Sequence, residues 1–160
     1  MANILDYLNW RGDIPFSVDP FNAVDGLILA QMAYIPLGGD VSTDFSIRMK
    51  MPHVYEHFDP DKVPENAKFF GFSHDCILLQ KLAESPRFQN TQLTGYVDET
   101  TDEMQFSAIT CILEDGTAFV AYRGTDGTIV GWKEDFELGV VRQTGAQLHA
   151  VNYLNQHFAN

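Results

Sequence analysis

The fold is most clearly indicated by the segment Phe106-Ser-Ala-Ile-Thr-Cys-Ile-Leu-Glu-Asp-Gly-Thr-Ala-Phe-Val-Ala-Tyr122. Two apolar runs, residues 105–113 and 117–122, flank Glu114-Asp115-Gly116, and Asp-Gly between apolar runs is a strong signal for a β-hairpin. Both alternating faces of the first run are largely apolar, as expected for a central strand that helices cover on two sides. An earlier run, Thr94–Val97, predicts a third strand.

Helical patterns lie on both sides of this strand region. Asp19-Pro20 predicts the start of a helix, with a capping carboxylate before a proline in the first turn. Ser73 or Asp75 predicts the start of a second helix that runs to Ala83, after a long irregular connection over residues 40–72. A terminal helix is predicted from Ala146 to about Phe158. The residues expected on one face of it are Gln147, Ala150, Val151, Leu154 and Phe158.

These elements predict an α/β fold with a mixed sheet and flanking helices. A strand followed by a crossover helix normally returns to a parallel strand of the same sheet, and here no strand follows the terminal helix. We therefore expect one incomplete domain over residues 1–160, with a helical and irregular front part in residues 1–90 and the hairpin, a loop and the crossover helix in residues 91–160. An apolar sheet edge is then exposed and available for association. Val151, Leu154 or Phe158 should be more exposed than core residues.

The composition restricts the possible partners and compartment. The net charge is −12, with 22 acidic and 10 basic residues, and no run of Lys or Arg is long enough to follow a nucleic-acid backbone. The two cysteines, Cys76 and Cys111, lie in separate apolar segments, which predicts buried free thiols in a reducing compartment. The first ten residues lack the basic start of a signal peptide, and no apolar run is long enough to span a membrane. We expect a cytoplasmic protein.

A family resemblance rests on residues 106–125, on Gly131-Trp132-Lys-Glu-Asp135-Phe and on the openings at residues 3–13 and 19–25. These resemble an uncharacterised bacterial lipase-like family, a domain of unknown function related to the class 3 lipases of the α/β-hydrolase superfamily. The resemblance implies the N-terminal portion of an α/β-hydrolase-like fold whose later strands are absent. It also implies a serine hydrolase of lipase or esterase type, with a small ester or lipid-like substrate and no cofactor.

The resemblance also implies roles for three residues. Thr125 would form the oxyanion hole with its backbone N–H and hydroxyl, Asp135 would hold that hydroxyl, and Trp132 would pack beneath the loop. A tetrahedral oxyanion needs preorganised donors, so this arrangement makes chemical sense. The alternative is a polar turn in which Thr125 only caps the next helix.

No nucleophile is expected in this chain. Gly71-Phe-Ser73-His-Asp75 has an aspartate where a nucleophile elbow has its second glycine, so Ser73 is interpreted as a helix cap. The chain alone should therefore be inactive, and whether the complete protein is an enzyme stays open. The main alternative is a non-catalytic binding or structural domain on a hydrolase scaffold.

A remote alternative comes from His53-Val-Tyr-Glu56-His57, which has the H-x-x-E-H pattern of inverted zinc peptidases. On a helix, His53 and His57 would share one face, with Glu56 beside them as a base. Pro52 and Pro60 limit such a helix to about two turns, and no third ligand with its own motif follows. Because five-residue patterns arise easily by chance, no metal site is predicted from this one.

Overall fold

The computed structural model describes residues 3–62, 75–100, 104–123 and 143–159. The helices in these residues are α1 (Ile4–Arg11), α2 (Ala23–Gln31), α3 (Met51–His57), α4 (Asp75–Glu84) and α5 (Gly145–Phe158). The strands are β1 (Met49–Lys50), β2 (Gln92–Thr100), β3 (Gln105–Ile112) and β4 (Ala118–Tyr122). Short 3₁₀ turns occupy Met32–Tyr34 and Pro60–Lys62. Within the described part of the chain, no helix has the length and apolar character needed to span a membrane.

The sheet has the order β1-β2-β3-β4, and each neighbouring pair is antiparallel. The prediction of an α/β fold with helices beside a sheet is confirmed, but the predicted mixed sheet is not found among the four described strands. The physical reason is that β2, β3 and β4 follow one another through short connections, which join antiparallel strands, whereas parallel strands need a long crossover.

The predicted hairpin between β3 and β4 is confirmed. The backbone N–H of Leu113 donates to the carbonyl of Thr117 at 2.9 Å, and Gly116 has a φ of +85°. The Asp115 side chain accepts from the backbone N–H of Thr117 at 2.9 Å. These contacts are local, which is why the sequence predicted the turn correctly.

All eight residues of β3 are buried, because the two faces of the strand contribute to separate apolar clusters. Ile109 and Cys111 belong to the larger cluster with α1, α2, α3 and α4, whereas Phe106 and Ala108 belong to a smaller cluster with α5. The prediction of a central strand covered on both sides is confirmed. Cys111 is a buried free thiol, as predicted, and burial raises its pKa to about 12. The Cys76 side chain lies outside the described residues.

Helix α2 begins later than the sequence predicts. Its cap is Asn22, whose side chain accepts from the backbone N–H of Val24 at 2.8 Å, while the Asp25 side chain accepts from the N–H of Asn22 at 2.9 Å. Asp19 is not the cap, because its carboxylate pairs with Arg11. Predicted helix α4 is confirmed from Asp75 to Glu84, and Ser73 lies outside the described residues.

Arg87 connects the helical layer to the sheet. It lies in the turn between α4 and β2, its side chain is fully buried, and each of its five guanidinium N–H groups has an acceptor. Two of them bind the buried Asp25 carboxylate, at 2.8 and 2.6 Å, and this hydrogen bonding raises the pKa of Arg87. The remaining acceptors are the backbone carbonyls of Ile14, Asp19 and Pro20. The ion pair therefore fixes the segment before α2 and the start of β2 relative to each other.

We predict that Arg87→Met lowers the free energy of unfolding by about 3–5 kcal/mol, because it leaves the Asp25 carboxylate buried without its counterion. Urea denaturation followed by circular dichroism measures the loss. Arg123→Met is the control, since it removes a partly exposed pair with Asp98 that should contribute only about 0–1 kcal/mol. Equal losses for the two variants would contradict the central role of Arg87.

Candidate functional site

The residues to which the family resemblance gives catalytic roles lie outside the described part of the chain. Thr125, Trp132 and Asp135 are in the range 124–142, and Ser73 is in the range 63–74. The expected contact between the Thr125 hydroxyl and the Asp135 carboxylate therefore stays a prediction. Arg123, at the end of β4, is described, and both of its terminal nitrogens donate to the Asp98 carboxylate, at 2.8 and 3.2 Å. It acts as a structural tie between β4 and β2.

Helix α5 is held on the sheet by tyrosine hydroxyls. The Tyr153 hydroxyl donates to the carbonyl of Gly95 at 2.7 Å and accepts from the Thr110 hydroxyl at 2.8 Å, while the Tyr122 hydroxyl donates to the carbonyl of Ala150 at 3.1 Å. Burial raises the pKa of Tyr153, which keeps this hydroxyl protonated as a donor. These contacts hold α5 over the strands but cover only one side of the helix.

Gly95 makes this close approach possible. It has a φ of +63° at an irregularity in the pairing of β2 with β3, where few other residues are tolerated. A Cβ atom at this position would lie 2.2 Å from the Phe45 ring and 2.7 Å from the Tyr153 hydroxyl oxygen. The glycine therefore gives both aromatic side chains the room that they occupy beside β2.

The face of α5 that meets the sheet coincides only in part with the apolar face that the sequence pattern indicates. The residues that contact the second apolar cluster or its aromatic side chains are Ala146, His149, Ala150, Tyr153, His157 and, at its edge, Phe158. Small alanines let the helix approach the sheet closely, and Tyr153 finds two hydrogen-bond partners there. The sequence pattern could not show this, because it ranks leucine and valine above tyrosine as core residues.

Four apolar side chains of α5 are left in contact with solvent. Leu148, Val151, Leu154 and Phe158 are 48%, 50%, 40% and 40% exposed, and we call this set the α5 stripe. The prediction that Val151, Leu154 or Phe158 would be more exposed than core residues is confirmed. Residues 143–159 also contain no Asp, Glu, Lys or Arg, although the whole chain has 22 acidic and 10 basic residues. A solvated helix usually carries charges on its outer face, whereas the centres of protein interfaces are depleted of them.

A second candidate lies on α3. His53, Glu56 and His57 are all exposed, and one potential ligand atom of each lies within 4.8 Å of the others. The structure therefore brings together the three residues that the sequence pattern singled out. All three side chains are exposed, and nothing in the described residues supports the peptidase interpretation.

Comparison with known proteins gives a match to a family model over part of the chain. Residues 82–160 match the protein family described as Mbeg1-like. No curated protein and no solved structure matches the chain. The matched range contains β2, β3, β4 and α5, so it includes the hairpin and the helix that carries the α5 stripe.

The match corrects the family resemblance suggested by the sequence. The segments that carried it, residues 106–125 and 131–136, lie inside the range matched by the Mbeg1-like family, which is not a lipase family. The lipase-like interpretation and the serine hydrolase function are therefore wrong, and a relation to the α/β-hydrolase fold is not confirmed. An ester or lipid-like substrate was inferred from that resemblance alone, so nothing supports this inference any longer. A hairpin buried on both faces and followed by a polar turn is too general a pattern to identify a lipase.

We predict that Tyr153→Phe lowers the free energy of unfolding by about 1–3 kcal/mol, because the carbonyl of Gly95 and the Thr110 hydroxyl lose a buried partner. Urea denaturation measures the loss, and amide hydrogen exchange should show weaker protection in α5. Tyr122→Phe is the control, because its hydroxyl makes a single bond at a partly buried position. A loss no greater than that of the control would refute the anchoring role of Tyr153.

Proposed function

We propose that this chain is an association domain that pairs with a second copy of itself through the α5 stripe. The observation that carries the proposal is the exposure of four large apolar side chains on a helix without charged residues. Burying such side chains against a partner contributes about 1.5–3 kcal/mol for each one that is fully covered. Self-association is thus the function that the described surface supports best.

The spacing of the stripe suits a helix–helix contact. Val151, Leu154 and Phe158 follow one another at intervals of three and four residues, the spacing that places side chains along one seam between two helices. From Leu148 to Phe158 the helix rises by about 15 Å, which is long enough for two turns of each copy to interlock. In a two-fold contact the same stripe lies on both sides, so one uncharged surface meets another.

Electrostatics favour a second copy over a charged partner. A basic partner would be recognised by carboxylates within the contact, and residues 143–159 contain none. The repulsion between two copies comes from the net charge of −12 carried elsewhere on the molecule. Because salt screens this repulsion but leaves the apolar contact intact, pairing should strengthen as the salt concentration rises.

The sequence suggested another route to association, through an exposed sheet edge. Among the described strands, β4 pairs only with β3, so its other side has no described strand partner. Strand addition at β4 is therefore the competing mode of association. It depends on backbone groups of β4, whereas the α5 contact depends on side chains, and a substitution in α5 separates the two modes.

The compartment that we propose is the cytoplasm. The support is Cys111, which is free and fully buried in the core rather than bonded to another cysteine. Free cysteines are maintained in reducing compartments. The proposal places the association domain in the same compartment as the sequence composition suggested.

We predict that the chain elutes as a species with a mass near twice 18.0 kDa in size-exclusion chromatography with light scattering, and that its dimer fraction rises with salt. Val151→Glu should weaken pairing at least tenfold, that is by about 1.4 kcal/mol or more, because it puts a charge inside an apolar contact. Gln156→Glu is the matched control, since it adds the same residue at an exposed position on another side of α5. Circular dichroism checks that both variants fold.

Three results would overturn the proposal. A monomer at every salt concentration would show that the α5 stripe does not mediate self-association. A dimer that Val151→Glu leaves unchanged would assign the contact to the edge of β4 instead. A dimer that dissociates as salt rises would indicate a charged interface, which α5 does not provide.

A further inference from the structure

We propose that His53, Glu56 and His57 form a surface site on α3 for a divalent transition-metal ion such as Zn²⁺, Co²⁺, Ni²⁺ or Cu²⁺. This site is independent of the α5 stripe, because it lies on another helix and outside the range matched by the Mbeg1-like family. The described part of the chain contains this one group of His, Cys, Asp and Glu side chains close enough to hold an ion.

The geometry of the site follows from helical spacing. His53 and His57 are four residues apart and therefore stand one above the other, and their ring centres are 4.3 Å apart. Glu56 lies on the same side of the helix, and the potential ligand atoms of the three residues lie within 4.8 Å of one another. A metal ion with bonds of about 2.0–2.2 Å to nitrogen and oxygen requires only a small closing movement of these exposed side chains.

A hydrogen bond to the backbone holds the ring of His57. The Nδ1 atom of His57 lies 2.9 Å from the carbonyl oxygen of His53, and a carbonyl oxygen can only accept a hydrogen bond. The proton of the neutral ring therefore resides on Nδ1, which leaves the lone pair of Nε2 for a metal ion. Histidine ligands commonly have such a bond on their second nitrogen, since it fixes the tautomer and the ring orientation.

The helix that carries these residues is anchored from behind. Met51, Val54 and Phe58 are buried in the larger apolar cluster, and the backbone N–H of Met51 donates to the carbonyl of Thr91 at 3.1 Å. Proline at position 52 suits the first turn of a helix. The inner face of α3 thus holds the backbone in place, while its outer face presents the three ligands without a desolvation cost.

The ligand types select the class of ion. Imidazole nitrogen suits Zn²⁺, Cu²⁺ and Ni²⁺, whereas Mg²⁺ and Ca²⁺ prefer sites made of oxygen atoms alone. The Glu56 carboxylate offsets part of the charge of the dication. Three protein ligands leave at least one coordination position for water or for an external ligand.

The test is calorimetric titration of the metal-free full chain. The chlorides of Zn²⁺, Co²⁺, Ni²⁺, Cu²⁺, Mg²⁺ and Ca²⁺ are titrated in separate experiments. We expect one ion bound per chain for the transition metals, with Cu²⁺ the tightest, and no binding of Mg²⁺ or Ca²⁺. His53→Gln and His57→Gln should each lower the affinity at least about tenfold, and the double variant should abolish binding.

Two further variants make the test specific. His149→Gln is the matched control, because the Nδ1 atom of His149 also lies close to a carboxylate, 3.3 Å from that of Glu99. This substitution should leave the metal affinity unchanged. Glu56→Gln keeps the size of the side chain but removes its charge. It should lower the affinity and shift the visible absorption bands of the Co²⁺ complex, which a pair of histidines alone would not explain.

The position of the ion can be read independently of affinity. In ¹⁵N spectra of the histidine rings, Zn²⁺ should shift the Nε2 resonance of His57 and leave its Nδ1 protonated. Absence of saturable binding, or equal affinity in the His53→Gln/His57→Gln double variant, would overturn the proposal. An unchanged Co²⁺ spectrum in Glu56→Gln would overturn the three-ligand site.

Discussion

A buried ion pair between Arg87 and Asp25 joins the segment before α2 to the chain that enters β2. Both side chains are fully buried, so neither charge is solvated and each requires the other. The guanidinium uses its five donors on the two carboxylate oxygens of Asp25 and on three backbone carbonyls of the segment before α2. The ring of Phe16 lies 4.3 Å from the guanidinium carbon and covers the cation. This network sets where α2 begins and where the chain enters β2.

From that junction the sheet divides the molecule into two unequal parts. The side of β3 that carries Ile109 and Cys111 faces four helices and is deeply buried, whereas the side that carries Phe106 and Ala108 faces α5. Polar contacts of Tyr153 hold α5, and the fit at Gly95 determines its distance from β2. A single helix seated on two alanines and a tyrosine cannot bury all of its own apolar side chains. The exposed α5 stripe is a consequence of this seating.

The two candidate surfaces differ in chemistry, but each lies on the outer side of a helix whose other side is buried. On α3 the buried face holds the backbone while imidazoles and a carboxylate point outward, and on α5 the buried face leaves a stripe without charge. The histidines of α3 were visible in the sequence because their spacing alone places them on one face of a helix. The sequence pattern placed Val151, Leu154 and Phe158 on one face of α5 and predicted greater exposure than that of core residues, but it did not include Leu148. The lipase-like interpretation failed because it gave functional meaning to a local strand–turn pattern.

Sequence patterns alone were enough to predict the β3–β4 hairpin, the apolar character of both faces of β3 and the approximate positions of α4 and α5. These features depend on contacts between near neighbours, such as the Asp115 side chain with the backbone of Thr117, or on simple periodicity. Only the tertiary structure decided that Asn22 rather than Asp19 caps α2, because Asp19 is taken by Arg11. It also decided which face of α5 is buried, since the partners of the Tyr153 hydroxyl lie 58 and 43 residues away in the sequence. Local patterns cannot show where such distant acceptors will lie, so they predicted the helices but not the surfaces that the helices present.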